Sequence, residues 1–186
     1  MRHAGWLALV TVVALASGSA VADSLKDENL LVGMPDGFVV GDQDRDGQMD
    51  MAEWIPKGET LDEWSRMVTI QIAHALGGVE PEALPESIAE GWTSACPHSA
   101  VTKILSAEEN GYPMTVWSFA CPLNPATGKP ENMWIKTISG RDALYSVQYA
   151  YRHVLDDTLE KPALSYLAAV KVCDTRRSDR ACPKGM

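Results

Sequence analysis

Glu109-Asn110-Gly111 joins two runs that read as strands, Val101–Ala107 and Tyr112–Cys121, with Asn110-Gly111 at the turn. That dipeptide is a strong short-range signal for a tight β-hairpin, because both central residues of a type I′ turn need positive φ. Two further strands follow, Met133–Ile138 and Ala143–Tyr151, turned at Ser139-Gly140-Arg141-Asp142. Upstream, Val68, Ile70 and Ile72 alternate with Thr69 and Gln71, the period of a half-buried strand. Helical patterns flank this region. Pro85–Ala95 puts Ile88, Trp92 and Ala95 on one face. Lys161–Val172 turns Leu164, Leu167, Ala168 and Val172 inward, with Pro162 in its first turn. Thr60-Leu61-Asp62-Glu63 reads as a capping box opening a short helix through Arg66. Asp23–Leu31 reads as a loose arm, and Phe38-Val39-Val40 as a short strand. The expected class is α+β: an antiparallel meander with helices before and after it, sandwich-like, and covered on one face.

The first 22 residues set the compartment. Arg2 gives a basic start, Trp6–Ala16 an apolar run, and Ala20-Val21-Ala22 a small-residue cleavage site, the three parts of a secretory signal peptide. Residues 23–186 are then expected as one domain, exported to the periplasm or beyond, with no spanning segment. All four cysteines, Cys96, Cys121, Cys173 and Cys182, fall in this part. An even count in an oxidising compartment predicts two disulfides. Of three connectivities, Cys96–Cys121 and Cys173–Cys182 is the expected one, since each pair brackets a local stretch. A zinc site at Cys96-Pro97-His98 lacks the usual ligand spacing.

The chain is acidic, with a formal net charge of −9, and its acids are concentrated before Glu63. Clustered Lys and Arg are what phosphate contacts require, so nucleic acid is not an expected partner.

Within the acidic half, Asp42, Asp44, Asp46, Gln48, Asp50 and Glu53 stand at positions 1, 3, 5, 7, 9 and 12 of a twelve-residue window, with Gly47 at position 6. This is the spacing of an EF-hand calcium loop. The flanks are wrong for an EF-hand: glycine and β-branched residues precede the window, and Pro56 interrupts any exiting helix. Two readings stand. In one, a strand–loop–strand site holds Ca²⁺ with these side chains and the Gln48 carbonyl. In the other, the run is a plain β-hairpin turned at Asp46-Gly47.

Catalytic signatures are missing: no nucleophile elbow, phosphate-cradling loop or zinc-protease helix occurs. His74 and His153 each follow an apolar strand, and His98 sits in a loop. The expected function is a non-catalytic envelope module that binds a protein or small ligand, with or without calcium. The alternative is a small hydrolase whose site is assembled from residues distant in sequence.

Several short motifs point the same way: Ile55-Pro56-Lys57-Gly58-Glu59-Thr60 with Trp64 and Met67-Val68-Thr69, Glu109-Asn110-Gly111-Tyr112-Pro113, and Cys121-Pro122-Leu123-Asn124. Thr127-Gly128-Lys129-Pro130, Val147-Gln148-Tyr149-Ala150 and Cys173-Asp174-Thr175-Arg176 continue the series. Through them the chain resembles an uncharacterised family of exported bacterial envelope proteins, a resemblance that implies compartment and no activity. The layout also looks like the small α/β/α sandwich of the extrinsic photosystem II proteins.

Overall fold

The computed structural model describes residues 25–154 and 156–183. The signal-peptide segment lies outside the described residues. A seven-stranded antiparallel sheet forms the centre, in the order β2-β3-β4-β8-β7-β6-β5. Its strands are β2 (Phe38–Arg45), β3 (Met49–Pro56), β4 (Arg66–Ala73), β5 (Ala100–Glu109), β6 (Tyr112–Asn124), β7 (Lys129–Ser139) and β8 (Leu144–Tyr151). β1 (Glu28–Leu31) and β9 (Lys171–Asp174) form a separate antiparallel pair, so the expected loose arm is a strand. The α+β class is as the alternation predicted. Asn110 and Gly111 take φ of 50° and 74°, as the hairpin signal requires.

Coverage differs from expectation. α1 (Ala83–Ala95) and α2 (Asp157–Ala169) lie on opposite faces of the sheet. The period of two explains this: each inner strand presents apolar side chains on both sides. On β7, Trp134 and Ile138 join the α2-side core, together with Val68, Tyr145, Val147 and Leu167. Met133 and Ile135 between them join Phe119 under Leu84, Ile88 and Trp92 of α1. Trp92 meets Phe119 edge-on at 5.5 Å between ring centroids.

Lys136, alternating with these, is buried on the α2 side. Its ammonium donates to Glu109 (2.7 Å) and to the Leu167 (3.2 Å) and Val170 (2.7 Å) carbonyls at the end of α2. All three protons are used, which is what a buried lysine needs.

Two helix predictions shift. No helix forms at Thr60–Arg66, although the Glu63 amide donates to Thr60 Oγ1 at 3.2 Å as a capping box would. One turn is too short to sustain itself. Instead, the Glu59 carboxylate takes the Ser65 amide and hydroxyl (both 2.7 Å), and Trp64 is buried against Ile55 and Met67. α2 begins four residues earlier than expected because Asp156 accepts the Thr158 amide at 2.8 Å as N-cap. Pro162 therefore lies inside the helix, Ala168 is exposed, and Val172 belongs to β9.

Both disulfides are paired as expected, Cys96–Cys121 and Cys173–Cys182.

Candidate functional site

The acidic window folds as the tip of the β2–β3 hairpin. Arg45 opposes Asp50, Asp44 opposes Met51 and Asp42 opposes Glu53. Asp46 is the turn residue. Its Oδ1 accepts the Gln48 and Met49 amides, both at 2.8 Å, and these two bonds, that from Met49 first, hold its carboxyl below the usual range. Gly47, at φ 83°, supplies the reversal.

The six ligand candidates are not brought together. Asp42, Asp44 and Glu53 project to the α1 side of the sheet. Asp50, opposite Ile72, projects to the α2 side and stands 3.4 Å from His74 Nε2. The Gln48 carbonyl accepts the His74 amide at 2.8 Å. Among the described residues no three His, Cys, Asp or Glu side chains converge as a metal site would require. Asp50 thus faces away from Asp42, Asp44 and Glu53, and Oδ1 of Asp46 is taken up by the turn amides.

Burial, and next the neighbouring Asp42, push the Glu53 carboxyl above its ordinary range. Glu53 stands at the edge of a window in the α1-side layer. α1 roofs β5, β6 and β7, and the Trp64 segment closes one end. Between them, Met51, Glu53, Gln71 and Gln148 remain half-buried, with no α-helix over them among the described residues. Where the window meets the start of α1 it deepens into a cavity of about 240 Å³. Met49, Leu76, Val79, Leu84 and Leu144 wall it, and Gln71 and Ser146 form its floor. The floor is polar but internally satisfied: Ser146 Oγ donates to Gln71 Oε1 at 3.1 Å, and Gln148 Nε2 reaches the same oxygen at 3.4 Å. Strand register continues this neutral row across the sheet, from Gln71 and Ser146 to Thr137, Thr115 and Ser106.

Apart from Met49, which falls inside the acidic window, none of these lining residues belongs to a motif the sequence announces. The available signal was weak: Gln71 and Ser146 interrupt apolar strands at the inward phase. Of the histidines, His74 makes the one histidine ion pair among the described residues, and it is open to solvent. His153 contributes a backbone carbonyl to Asn132 (2.6 Å).

No protein-family model matches the chain, and no curated protein sequence matches it. Solved structures do. Cyanobacterial PsbP (CyanoP) from Synechocystis sp. PCC 6803 superposes with a TM-score of 0.51 at 12% identity, covering 84% of this chain and 98% of that one. A mutant form of the protein Mog1 (TM-score 0.44, 10% identity) covers 74% of this chain and 78% of its own. LpqN of Mycobacterium tuberculosis, involved in cell envelope biogenesis (0.40, 10%), covers 82% and 87%. At such identities the PsbP likeness establishes a shared fold, in keeping with the layout read from the sequence.

Proposed function

We propose that this is an exported, non-catalytic binding domain that docks a partner protein over the α1-side window. The cavity beside α1 would take one apolar side chain, and Asp42, Asp44 and Glu53 would face basic residues of the same segment. The cavity carries the reading. About 240 Å³ is below the roughly 300–1,000 Å³ of sites that enclose a small molecule, so it suits a single anchoring group. Its walls are apolar and its floor is neutral, so the anchor is apolar too. Glu53 lies on the same face along β3, four residues and roughly 13 Å at strand rise from Met49 at the cavity, with Asp42 and Asp44 beside it on β2. A rim of one charge sign around an apolar pocket speeds encounter and selects an oppositely charged partner.

Export is supported by the leader-like start and by two disulfides, which persist in oxidising compartments. No helix among the described residues is long and apolar enough to cross a membrane. The hydrolase alternative gains nothing from the open His74–Asp50 pair, which lies outside the cavity lining.

A photo-crosslinking residue at Ser87, on the cavity rim, should give a defined adduct in the native envelope. The same residue at Ser165, exposed on α2, should not. Adding Ala83→Phe to fill the cavity from an exposed helix position should abolish the adduct. Asp42→Asn with Asp44→Asn should weaken it, as should raised salt. An unchanged adduct with the cavity filled would overturn the proposal.

A further inference from the structure

The two edge strands of the seven-stranded sheet are β2 and β5. Natural edge strands resist edge-to-edge pairing with charges and bulges. β2 has both: Asp42, Asp44 and Arg45 on an exposed strand, and a register shift between Val40 and Asp42. β5 has charges and a shift as well, between Lys103 and Leu105, and each edge exposes an apolar pair: Val39 and Val40 on β2 (39% and 43%), Ile104 and Leu105 on β5 (40% and 45%). Next to them lies a cavity of about 310 Å³ between the edge and α2, lined by Ile104, Leu105, Met114, Val116, Leu164 and Ala168. Lys136 and Glu109 also line it, paired with each other, the lysine with all three protons engaged. The chain's own side chains do not fill it.

We propose that β5 is a self-association edge. Two copies pair antiparallel along it about a two-fold axis, Ile104 of one opposite Leu105 of the other, with these side chains seated over the two α2-side cavities.

The register follows from which side each residue faces. Val101, Lys103, Ser106 and Glu108, opposite Phe119, Trp117, Thr115 and Pro113, face the α1 side. Thr102, Leu105 and Ala107, opposite Ser118, Val116 and Met114, face the α2 side, and the extra residue Ile104 lines the α2-side cavity with Leu105. A two-fold pairing must set like side against like side. With Ile104 opposite Leu105, Lys103 opposes Ser106, Thr102 opposes Ala107 and Val101 opposes Glu108, and every pair satisfies the condition. Lys103, whose ammonium rests over the Trp117 ring (5.2 Å to the centroid) and 3.7 Å from Glu82 of its own chain, then lies diagonal to Glu108 of the second copy, about 7–8 Å away at the backbone, so that Glu108 adds a second carboxylate to its surroundings. The contact occurs twice by symmetry. So one register satisfies facing, buries the exposed apolar pair and matches charge. On β2 the exposed apolar neighbours Val39 and Val40 face opposite sides of the sheet, so no like-sided register sets one against the other.

A single strand pair is a small interface, so association should be weak and should need high protein concentration to detect. Sedimentation velocity over a concentration series should show the wild type passing from monomer to dimer. Ile104→Lys should raise the dissociation constant at least about tenfold, because two like charges would approach across the axis. Its melting curve should match the wild type, because the position is exposed. Thr102→Cys with Ala107→Cys should oxidise to a covalent dimer. A wild type that stays monomeric throughout would overturn the proposal, including the case where β5 serves another protein's strand. An Ile104→Lys variant that dimerises as the wild type does would also overturn it. So would a wild-type dimer whose cysteine variant fails to cross-link.

Discussion

The two ends of the seven-stranded sheet are each closed by an antiparallel pair, and the pairs end up in opposite conditions. β5 and β6 lie under α1, and Cys96 at the end of that helix is bonded to Cys121 on β6. Phe119 on β6 is buried between Trp92 and Trp117. Among the described residues β2 and β3 carry no α-helix on the same side: from Val39 to Arg45, β2 is exposed throughout. The difference comes from connection length. β2 returns as β3 through the Asp46-Gly47 turn, which has no chain to spare. The segment between β4 and β5 spans residues 74–99 and crosses the sheet to the far edge, laying α1 over β5–β7 on the way. The roofed end is the more deeply packed, and the unroofed end leaves its side chains open to solvent, where the proposed docking would take place.

The sharpest test of this contrast is to truncate one side chain at each end. Phe119→Ala removes a fully buried ring and should cost about 3–5 kcal/mol. Met51→Ala, on the same face but half-buried in the window, should cost less than about 1 kcal/mol. Urea denaturation midpoints would show the two shifts. Equal losses would mean that the unroofed end is packed as tightly as the roofed one.

The disulfides come next in size. Cys96–Cys121 closes a separation of 25 residues and Cys173–Cys182 one of 9. Loop-closure entropy assigns them about 3.5 and about 2.6 kcal/mol. Removing the first pair with Cys96→Ala and Cys121→Ala should therefore destabilise more than removing the second. It should also loosen α1, measured as faster amide exchange at Ile88 and Trp92 than in the second variant. Equal exchange would show that α1 is held by packing alone.

How much of this was legible depended on the range of the interactions. The Asn110-Gly111 turn, the β4 alternation and the paired cysteines were readable because each is decided by neighbours or by a simple period. The sheet order was not. That β8 returns to pair with β4, Val147 against Ile70, depends on contacts across more than seventy residues. Nor was the side each helix covers, because strands apolar on both faces do not say which face α1 takes. The acidic window shows the limit most clearly. Its spacing matches a calcium loop residue by residue, yet spacing along the chain becomes spacing in space only once the backbone is known. On paired strands, period two sends Asp50 to one side and Glu53 to the other. The cavity at Gln71 and Ser146 lay outside any motif because polar residues at inward phase look like ordinary sheet positions.

The smallest effect tests the acids themselves. Burial, and then Asp42 across the strand pair, raise the Glu53 carboxyl above its ordinary value of 4.5. A group raised in this way contributes stability below its unfolded pKa and loses it as pH climbs through the folded one. At neutral pH, Glu53 is therefore charged at a cost, which Glu53→Gln removes. The variant should be more stable than the wild type at pH 7, by less than about 1 kcal/mol because solvent screens the pair. The gap should close below about pH 4, where the unfolded carboxyl is also protonated. Thermal melts of both proteins at pH 7 and pH 4 would show it, and a gap independent of pH would point to packing instead of charge. The same melts separate screening from ligation. Millimolar magnesium and calcium should raise the wild type equally and slightly, since either ion screens Asp42 and Glu53. Stabilisation by calcium alone, reversed by chelator and lost in Asp44→Ala, would mean that the hairpin tip rearranges around the ion. In that case the unroofed end would owe its order to a ligand, and the contrast with the roofed end would hold only for the calcium-free protein.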